Sequence, residues 1–441
     1  MSTNLGSSSL PNPKRSLVIL LRCYSCAELE RTIRLAVALL FLLSAGVLQP
    51  ASVQAETTIV PSANVSGRYD SNIWNRPGSL LPQGTQLDDF VTTVGGAAEL
   101  QHDTRDIEAK MKVGGDFNAY VDNTNLNFFN ATLNGYVSLD RWVDQYVRGA
   151  KLRVTEQFRY TPQSPGFLTG VRDVVVQDNT FFTGIQGFRA NTFINTTAVT
   201  GSYPVSRDLA LAGGYTFALR RVGRIQGGSV PGVSFFDTNS HTWFGGPRYQ
   251  LTRNDSIGAV YRQSFILQSR SEGGRSFSTT LVTLAGIYSK EFQEWGFNVE
   301  GGVTFVEPAG RSFPSGQARV TTAPQRDTVL SVTLFRQARP SFFLQGGAIL
   351  SNVAQVGISR KIYERLTLDG SASYGINQFF PNTSDSTFQS FSGGVGLSYN
   401  VTRTIIGDIS YRYNNVDRSG GAVEYRFSRH VVGMFLTAEW K

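Results

Sequence analysis

Apolar and polar residues alternate with a period of two along most of the chain. Within residues 107–121, one set of alternate positions is apolar and the other is polar. The polar set includes four charged residues, which are Glu108, Lys110, Lys112 and Asp116. Because successive side chains of a strand point to opposite faces, this pattern predicts a strand with one wet face and one apolar face. Burying unpaired charges in a dry core is very costly, so the apolar face must meet either a second sheet or a lipid bilayer.

The alternation recurs in segments that are long for a soluble protein. Clear examples lie at residues 127–139, 366–377, 388–400 and 404–415. Many segments exceed the ~5–6 residues typical of soluble strands and provide the ~9–11 that cross a membrane at a tilt. Counting segments between turn signals predicts about eighteen strands, an even number that suits an outer-membrane barrel. About sixteen remain possible, because Pro314, Pro324 and Pro340 interrupt the pattern within residues 308–347.

Two kinds of connection alternate between the predicted strands. The short, charged set lies at residues 102–106, 140–144, 206–208, 252–255, 290–294, 325–327, 363–365 and 401–403. The longer set, rich in Gly, Pro, Ser and Asn, lies at residues 70–87, 161–187, 223–238, 269–275, 308–314, 379–386 and 416–426. Outer-membrane barrels have short periplasmic turns and longer outside loops. We therefore predict an all-β fold, a transmembrane antiparallel up-and-down β-barrel with both termini on the periplasmic side.

A soluble β-sandwich is the alternative fold, because its half-buried strands alternate in the same way. The final segment favours the barrel, since Met434, Leu436, Ala438 and Trp440 form an apolar face with a near-terminal aromatic residue. This face is similar to the terminal strand by which outer-membrane barrels are recognised for insertion, although Lys441 follows the aromatic. The expected partners are therefore outer-membrane lipid and, through the C-terminal strand, the barrel-assembly machinery.

The first 55 residues read as a signal peptide. Residues 35–43 form an apolar core that follows basic residues, and Val53 and Ala55 place small side chains at the −3 and −1 positions of a cleavage site. Cleavage before Glu56 would leave residues 56–441 as the barrel. An uncleaved anchor is the alternative, but the apolar run is shorter than the ~18–20 residues that span a bilayer. The long region ahead of the apolar core suggests a translation start downstream of Met1.

Composition argues against nucleic-acid binding and against disulfide stabilisation. Both cysteines, Cys23 and Cys26, fall within the predicted signal peptide, so their C-x-x-C spacing predicts no redox or metal site. Residues 56–441 hold 36 of the Lys and Arg residues and 31 of the Asp and Glu residues, a net charge of +5 that is not concentrated in blocks. Nucleic-acid binding would call for a basic face with a known module. A cysteine-free exported chain suits a bacterial envelope protein.

The start of the predicted barrel carries a short motif, Tyr69, Asp70, Ser71, Asn72 and Ile73. It resembles the first-strand motif of the putative β-barrel porin 2 family and of related outer-membrane proteins found with exosortase and exopolysaccharide systems, with the Asp and the hydroxyl residue exchanged. The resemblance implies an outer-membrane barrel, often encoded beside polysaccharide export machinery. Anionic polysaccharide and export-complex proteins are then the expected partners. The alternative is a loop cap at the outer rim, in which Asp70 and Asn72 bond their own backbone.

A barrel of this size is wide enough to enclose water, so its inward side chains decide what passes. The candidates for lining this lumen are Glu108, Lys110, Lys112, Asp116, Lys151, Arg153, Gln157, Arg159, Arg248, Arg262, Asp408 and Arg412. Among them, residues 151–159 form a cationic ladder on one strand face. One interpretation is an anion-favouring lumen for acidic sugars or other anionic solutes. The other is a network of arginines and carboxylates that neutralise each other and stiffen the wall.

Catalysis, metals and cofactors find little support in the sequence. Ser240 and His241, with Asp237 nearby, suggest a hydrolase triad, but adjacent residues of a strand point to opposite faces. Residues 56–441 have no cysteine and no close pair of histidines, so we predict neither a metal site nor a cofactor. Tyr120 and Tyr136 fall on the polar face, where aromatic rings would stack sugars.

Three functional hypotheses follow from these patterns. The first is a non-enzymatic, porin-like passive conduit or envelope component associated with exopolysaccharide export. The second is a structural or surface-interaction barrel whose lumen is plugged by residues 161–187. The third, with the least support, is a membrane-embedded hydrolase that uses His241.

Overall fold

The structure is a computed structural model, and it describes residues 56–162, 189–226, 235–270, 276–325, 327–340, 348–380, 387–420 and 424–440. The predicted signal peptide, residues 1–55, lies outside the described residues. So does nearly all of the predicted plug at residues 161–187. Both therefore stay predictions.

Within the described residues, eighteen antiparallel strands form one sheet that closes on itself. The strands are β1 (Glu56–Asp70), β2 (Asp89–Asp103), β3 (Glu108–Tyr120), β4 (Phe128–Ser138), β5 (Lys151–Thr161), β6 (Ala190–Pro204), β7 (Leu209–Ile225), β8 (Phe236–Gln250), β9 (Asp255–Arg270), β10 (Ser276–Glu291), β11 (Trp295–Glu307), β12 (Arg311–Gln325), β13 (Thr328–Pro340), β14 (Ala348–Tyr363), β15 (Leu366–Phe380), β16 (Thr387–Asn400), β17 (Ile405–Ser419) and β18 (Tyr425–Glu439). Each strand pairs with the next, and β1 pairs with β18 from Ser62 opposite Glu439 to Asp70 opposite Val431. The closed barrel confirms the predicted fold class, with eighteen strands rather than sixteen.

Most connections at one end of the barrel are shorter than those at the other, as predicted, but the twelve residues 139–150 that join β4 to β5 at the short-turn end are an exception. The four residues 104–107 join β2 to β3, whereas the eighteen residues 71–88 join β1 to β2. The first strand begins, and the last strand ends, at the end of the barrel where the short turns lie. We call this end the terminal end and the opposite end the loop end. One predicted loop is wrong, because residues 308–314 are mostly strand. Only residues 308–310 separate β11 from β12, and Pro314 pairs with Val303 inside the sheet.

A short helix, α1 (Asp140–Asp144), lies in the connection between β4 and β5 at the terminal end. The Asp140 carboxylate accepts the N–H of Leu152 at 2.8 Å, which attaches the connection to the start of β5. Across the described ranges, no helix has the length and apolar character needed to span a membrane.

The two faces of the sheet differ in chemistry. One set of alternate positions carries exposed apolar side chains, such as Val94 at 58%, Leu284 at 53% and Met434 at 63% exposure. The other set makes contacts that skip a strand, as when Arg262 on β9 reaches Glu300 on β11 across β10. Such contacts fit the concave side of a curved sheet, where side chains converge. The apolar set therefore faces outward and the polar set faces the lumen, as in outer-membrane barrels.

Candidate functional site

Charged side chains line the inner face of β2 to β4. Lys110 Nζ lies 2.8 Å from Glu99 Oε1, which joins β3 to β2. The Tyr136 hydroxyl donates to Glu108 Oε1 at 2.6 Å, which joins β4 to β3. These two carboxylates are therefore satisfied within the wall, while Lys112 on the same face is exposed.

The predicted cationic ladder lies on the inner face of β5. Lys151, Arg153 and Gln157 are exposed although they point into a closed barrel, so solvent reaches this part of the wall. The guanidinium carbon of Arg153 lies 4.3 Å from the centre of the Tyr136 ring. Within the described residues, neither Lys151 nor Arg153 forms an ion pair. The ladder thus presents positive charge to the lumen. Arg159, which is nearer the loop end of β5, is partly buried and has a partner.

Two further predicted lining residues bridge strands around the barrel. Arg248 on β8 donates from Nη2 to the Ser289 hydroxyl on β10 at 3.2 Å. Arg262 on β9 donates from Nη1 to Glu300 Oε1 on β11 at 3.1 Å. Both contacts pass over the strand between, so they tie the inner wall together. Arg262 and Glu300 thus form one of the arginine–carboxylate pairs that the neutralised-wall interpretation expects, and its stiffening of the wall stays a prediction.

The remaining candidates lie on β3 and β17. Asp116 accepts a bond from Asn130 Nδ2 at 2.9 Å. Asp408 accepts the Ser398 hydroxyl, and Arg412 occupies the same face of β17 and also has a partner. Eight of the twelve candidates belong to β3 and β5, and the other four are distributed over β8, β9 and β17. The structure therefore forms a charged wall rather than one compact site, and its role in solute passage stays a prediction.

The family-like motif joins the two ends of the sheet at the loop end of the barrel. Asp70 is 2% exposed, and Arg429 on β18 donates to it from Nε at 2.8 Å and also from Nη2. The N–H of Ser71 donates to the His430 carbonyl at 2.9 Å, and the N–H of His430 donates to the Ser71 hydroxyl at 2.8 Å. We call these four residues the β1–β18 clasp. It extends the backbone pairing of the two strands by charged and polar side-chain contacts.

The predicted loop cap is also present beside the clasp. The N–H of Asn72 donates to Asp70 Oδ1 at 3.1 Å, and the Asn72 side chain donates to the Arg76 carbonyl at 2.9 Å. Tyr69 lies on the outer face, where its hydroxyl donates to Asp88 at 2.9 Å. The sequence interpretation missed the buried pairing of Asp70, because its partner lies 359 residues away along the chain.

The first loop, residues 71–88, packs against the inner face of the barrel. Ile73 and Trp74 are 2% and 3% exposed, and they form an apolar cluster with Val91 and Tyr120, which are inward residues of β2 and β3. Trp74 Nε1 also donates to the Gln86 carbonyl at 2.9 Å. This loop narrows the lumen at the loop end.

Two buried arginines at this narrow part were not predicted. Arg68, on the inner face of β1, is 3% exposed and donates from Nη1 to the Thr93 hydroxyl at 3.3 Å. Arg189, just before β6, is 2% exposed and donates from Nη1 to the Tyr120 hydroxyl at 2.6 Å. The period of two in β1 places Arg68 inward and would have identified it. Arg189 follows a long segment without periodicity, so no local pattern points to it.

The tyrosines predicted to stack sugars already contact arginine side chains. The guanidinium carbon of Arg189 lies 4.8 Å from the centre of the Tyr120 ring, and Arg153 covers Tyr136 in the same manner. Tyr120 is only 4% exposed. A sugar-stacking role for these two rings is therefore not supported by the geometry.

The hydrolase hypothesis lacks the required geometry at His241. The His241 ring lies on the outer face of β8, with Nδ1 2.7 Å from the Tyr215 hydroxyl, while Ser240 occupies the opposite face. Asp237 accepts the N–H of Val222 at 2.9 Å instead of orienting the histidine. In the part of the chain that the structure describes, no group of three or more His, Cys, Asp or Glu side chains is placed to hold a metal ion.

Comparison with known proteins gives a family for the C-terminal part of the barrel. Residues 312–438 match the model of the putative beta-barrel porin 2 family. The match confirms the resemblance inferred from the sequence, and it covers nearly all of β12 to β18. The protein is thus a porin-like β-barrel of the outer membrane. The cationic ladder on β5 and the first loop lie outside the porin 2 match. No curated protein matches the chain.

Several solved structures of outer-membrane proteins are similar in fold. The outer membrane protein opdK from Pseudomonas aeruginosa is 10% identical, with a TM-score of 0.45, and the match covers 87% of this chain and 99% of that one. OpdQ from the same organism is 9% identical, with a TM-score of 0.43 and coverage of 88% and 97%. OccAB3 from Acinetobacter baumannii is 10% identical, with a TM-score of 0.41 and coverage of 87% and 99%.

Proposed function

We propose that the protein is a passive conduit that favours anionic solutes. The observation that carries this proposal is the exposure of Lys151 and Arg153 on the inner face of a closed barrel, without an ion pair among the described residues. Charged side chains that line a water-filled pore set its ion selectivity, and basic side chains favour anions. Passage is diffusion, and no chemical step is involved.

The distribution of inner-wall charge supports this proposal. The carboxylates of Glu99 and Glu300 are already paired with Lys110 and Arg262. They are therefore poorly placed to neutralise the ladder, and the carboxylate beside it is that of Glu108, which accepts the hydroxyl of the Tyr136 ring that Arg153 covers. The effect on permeating ions should be largest at low salt, where the screening length is longest.

Conductance in planar bilayers tests the proposal directly. The reversal potential across a KCl gradient should show anion preference for the unaltered protein. A Lys151→Glu/Arg153→Glu variant should lose or invert that preference. The control, Arg365→Glu/Arg403→Glu, makes the same change in net charge in short turns at the terminal end and should retain most of the preference. A cation-selective unaltered protein, or a ladder variant with unchanged selectivity, would contradict the proposal.

A constricted structural barrel is the second candidate function. It is favoured by the first loop, whose buried Ile73 and Trp74 pack against inward residues at the loop end. Such a barrel would insert into bilayers and show heat-dependent gel mobility, yet conduct no measurable current. The same recordings therefore separate the two candidates.

We further propose that the barrel is an envelope component allied to exopolysaccharide export. The resemblance of residues 69–73 to outer-membrane proteins found with exopolysaccharide systems supports this association. Anionic polysaccharide and export-complex proteins are the proposed partners. Deletion of the protein should lower the amount of polysaccharide secreted, and unchanged secretion would exclude a required role in export.

A further inference from the structure

An open groove of about 580 Å³ lies on the outer face of the barrel, across β11 to β15. Most of its lining is apolar. Gly316, Ala318 and Ala354 have short side chains, so the surface is recessed where they lie. Leu334 and Tyr374 project beside them and are exposed. We call this feature the outer groove. Its volume falls within the ~300–1,000 Å³ of small-molecule sites, so it offers room for a ligand.

The outer groove lies where the backbone pairing between β12 and β13 ends. β12 begins at Arg311 and β13 ends at Pro340, yet their pairing stops at Gly316 opposite Arg336. Beyond this pair, toward the loop end, the Pro314 carbonyl accepts a bond from Nε of Arg336 at 3.1 Å. A side-chain contact thus takes the place of strand pairing, and it holds the guanidinium group of Arg336 at the groove.

Arg336 is an exposed cation with donors to spare. Its Nη1 donates to Asn352 Oδ1 at 2.9 Å, whereas its Nη2 makes no hydrogen bond in the part of the chain that the structure describes. No carboxylate of the described residues forms an ion pair with Arg336. Glu300 also lines the groove, but its carboxylate faces the lumen and binds Arg262. An anion outside the wall can therefore reach Arg336.

Arg336 also lies at the edge of the apolar belt. On the outer face, the exposed residues Val332 and Leu334 precede it on β13, and Val356 lies in the same apolar row on β14. Arg336 is directly opposite Asn352, so both strands change from apolar to polar at one pair. An arginine near the bilayer interface costs far less than one at the midplane. The phosphate groups of lipids lie at that interface, and their acyl chains lie below it.

We propose that Arg336 binds the phosphate headgroup of a lipid in the leaflet at the loop end, and that an acyl chain of this lipid lies in the outer groove. Guanidinium groups bind phosphate oxygens through charge-assisted hydrogen bonds, and the Nη2 of Arg336 is available for one. The apolar lining accepts the chain. The site requires lipid against the outer face and is independent of whether the barrel conducts.

Native mass spectrometry of the detergent-solubilised barrel tests this site. Dilauroyl phosphatidic acid is the probe, and dilauroyl phosphatidylcholine is the lipid with the same chains and no net charge. Inorganic phosphate represents the headgroup without chains. Phosphatidic acid should bind more tightly than phosphatidylcholine. Inorganic phosphate at the same concentration should not displace phosphatidic acid, because it has no chain to occupy the outer groove.

The decisive variant is Arg336→Gln, which removes the charge and the free donor. It should weaken binding of phosphatidic acid at least about tenfold, since hydrogen bonds to charged groups contribute enough to shift affinity by that factor. The matched control is Arg360→Gln, which removes an exposed arginine near the terminal end of β14, outside the outer groove. It should bind phosphatidic acid as the unaltered protein does.

A second variant tests the chain-binding part of the site. Ala354→Trp fills the outer groove with an apolar side chain and leaves Arg336 in place, so it should also weaken binding of phosphatidic acid. It keeps the test available should Arg336→Gln fail to give a heat-modifiable barrel.

Four results would overturn the site. Two concern the arginine, and they are binding that Arg336→Gln leaves unaffected and an equal loss of binding in Arg360→Gln. The third is equally tight binding of phosphatidylcholine and phosphatidic acid to the unaltered protein. The fourth is displacement of phosphatidic acid by inorganic phosphate, which would indicate a site for free anions. Unchanged binding in Ala354→Trp would exclude the acyl chain from the outer groove.

Discussion

At the scale of single residues, a fully buried ion pair lies in the β1–β18 clasp. Asp70 and Arg429 are each 2% exposed and share two parallel hydrogen bonds. Removing one member of a buried ion pair leaves an uncompensated buried charge, which is strongly destabilising. A second pair, Arg426 on β18 and Asp417 on β17, is separated by 3.9 Å and is largely exposed. Exposed pairs of this kind contribute little to stability.

Asp70→Asn should therefore lower the free energy of unfolding by about 3–5 kcal/mol. The matched control Asp417→Asn should change it by less than about 1 kcal/mol. Urea titration of the barrel in lipid vesicles, followed by tryptophan fluorescence, measures both values. Adding Arg429→Gln to Asp70→Asn should recover part of the loss, because the unpaired charge is then removed. Equal effects of the two single substitutions would argue against a special contribution of the clasp.

At the scale of strands and loops, most of the fold could be predicted from local periodicity. The alternation over residues 107–121 and 127–139 corresponds to β3 (Glu108–Tyr120) and β4 (Phe128–Ser138). The prolines were the main source of error. Pro314 occupies a paired position in β12, and Pro324 lies where the register shifts between Thr322 and Gln325. A proline is tolerated where its missing N–H is not needed, and the register that decides this is set by the neighbouring strands.

The candidate site also has parts that local periodicity predicts and parts that it does not. The ladder on β5 was predictable, because Lys151 and Arg153 are two residues apart, and this spacing places both side chains on the same face of a strand. The pairing of Asp70 with Arg429 was not, because it joins the first strand to the last and depends on closure of the sheet. The inward packing of Trp74 was also missed, since a loop without periodicity does not show which side of the barrel it will contact.

The asymmetry of the connections predicts the orientation of the barrel. We propose that the termini and short turns face the periplasm and that the first loop faces the outside, as in other outer-membrane barrels. Residues 56–441 contain no cysteine, so single introduced thiols can be labelled selectively. In intact cells, a membrane-impermeant maleimide should label Gln83→Cys in the first loop and leave Arg253→Cys unlabelled. The reverse labelling would place the termini outside, and label on both after membrane rupture confirms that each thiol is reactive.

At the scale of the whole molecule, exposed apolar side chains occupy the outer surface of strands all around the barrel. Exposed side chains of this surface include Val113 on β3, Leu284 on β10 and Leu436 on β18. Monomeric soluble proteins rarely expose a continuous apolar surface of this extent. A surrounding bilayer accounts for it, since lipid replaces the second protein layer that a sandwich would provide.

A pair of arginine substitutions at one height of the wall tests this environment. Val113 points outward from β3, and Asn134 points inward from β4, where it lies opposite Lys112. Val113→Arg should destabilise the barrel in lipid vesicles by about 2–4 kcal/mol if it lies near the bilayer midplane. Asn134→Arg should cost much less, because its side chain is exposed to water in the lumen, and the repulsion from Lys112 opposite is small by comparison. The yield of folded protein on a cold gel, measured over a urea series, compares them. Similar yields for the two variants would mean that hydrocarbon does not contact Val113.

The β1–β18 clasp also places a condition on biogenesis. Asp70 is synthesised 359 residues before its partner Arg429. The edge of β1 therefore has no pairing strand until β18 has been made. A polypeptide that ends before Arg429 because of a premature stop codon would leave the edge of β1 without a pairing strand and Asp70 without its ion-pair partner. Such a product would remain an open ribbon, a ready target for cellular proteases. Only a chain translated through to β18 can therefore close the barrel.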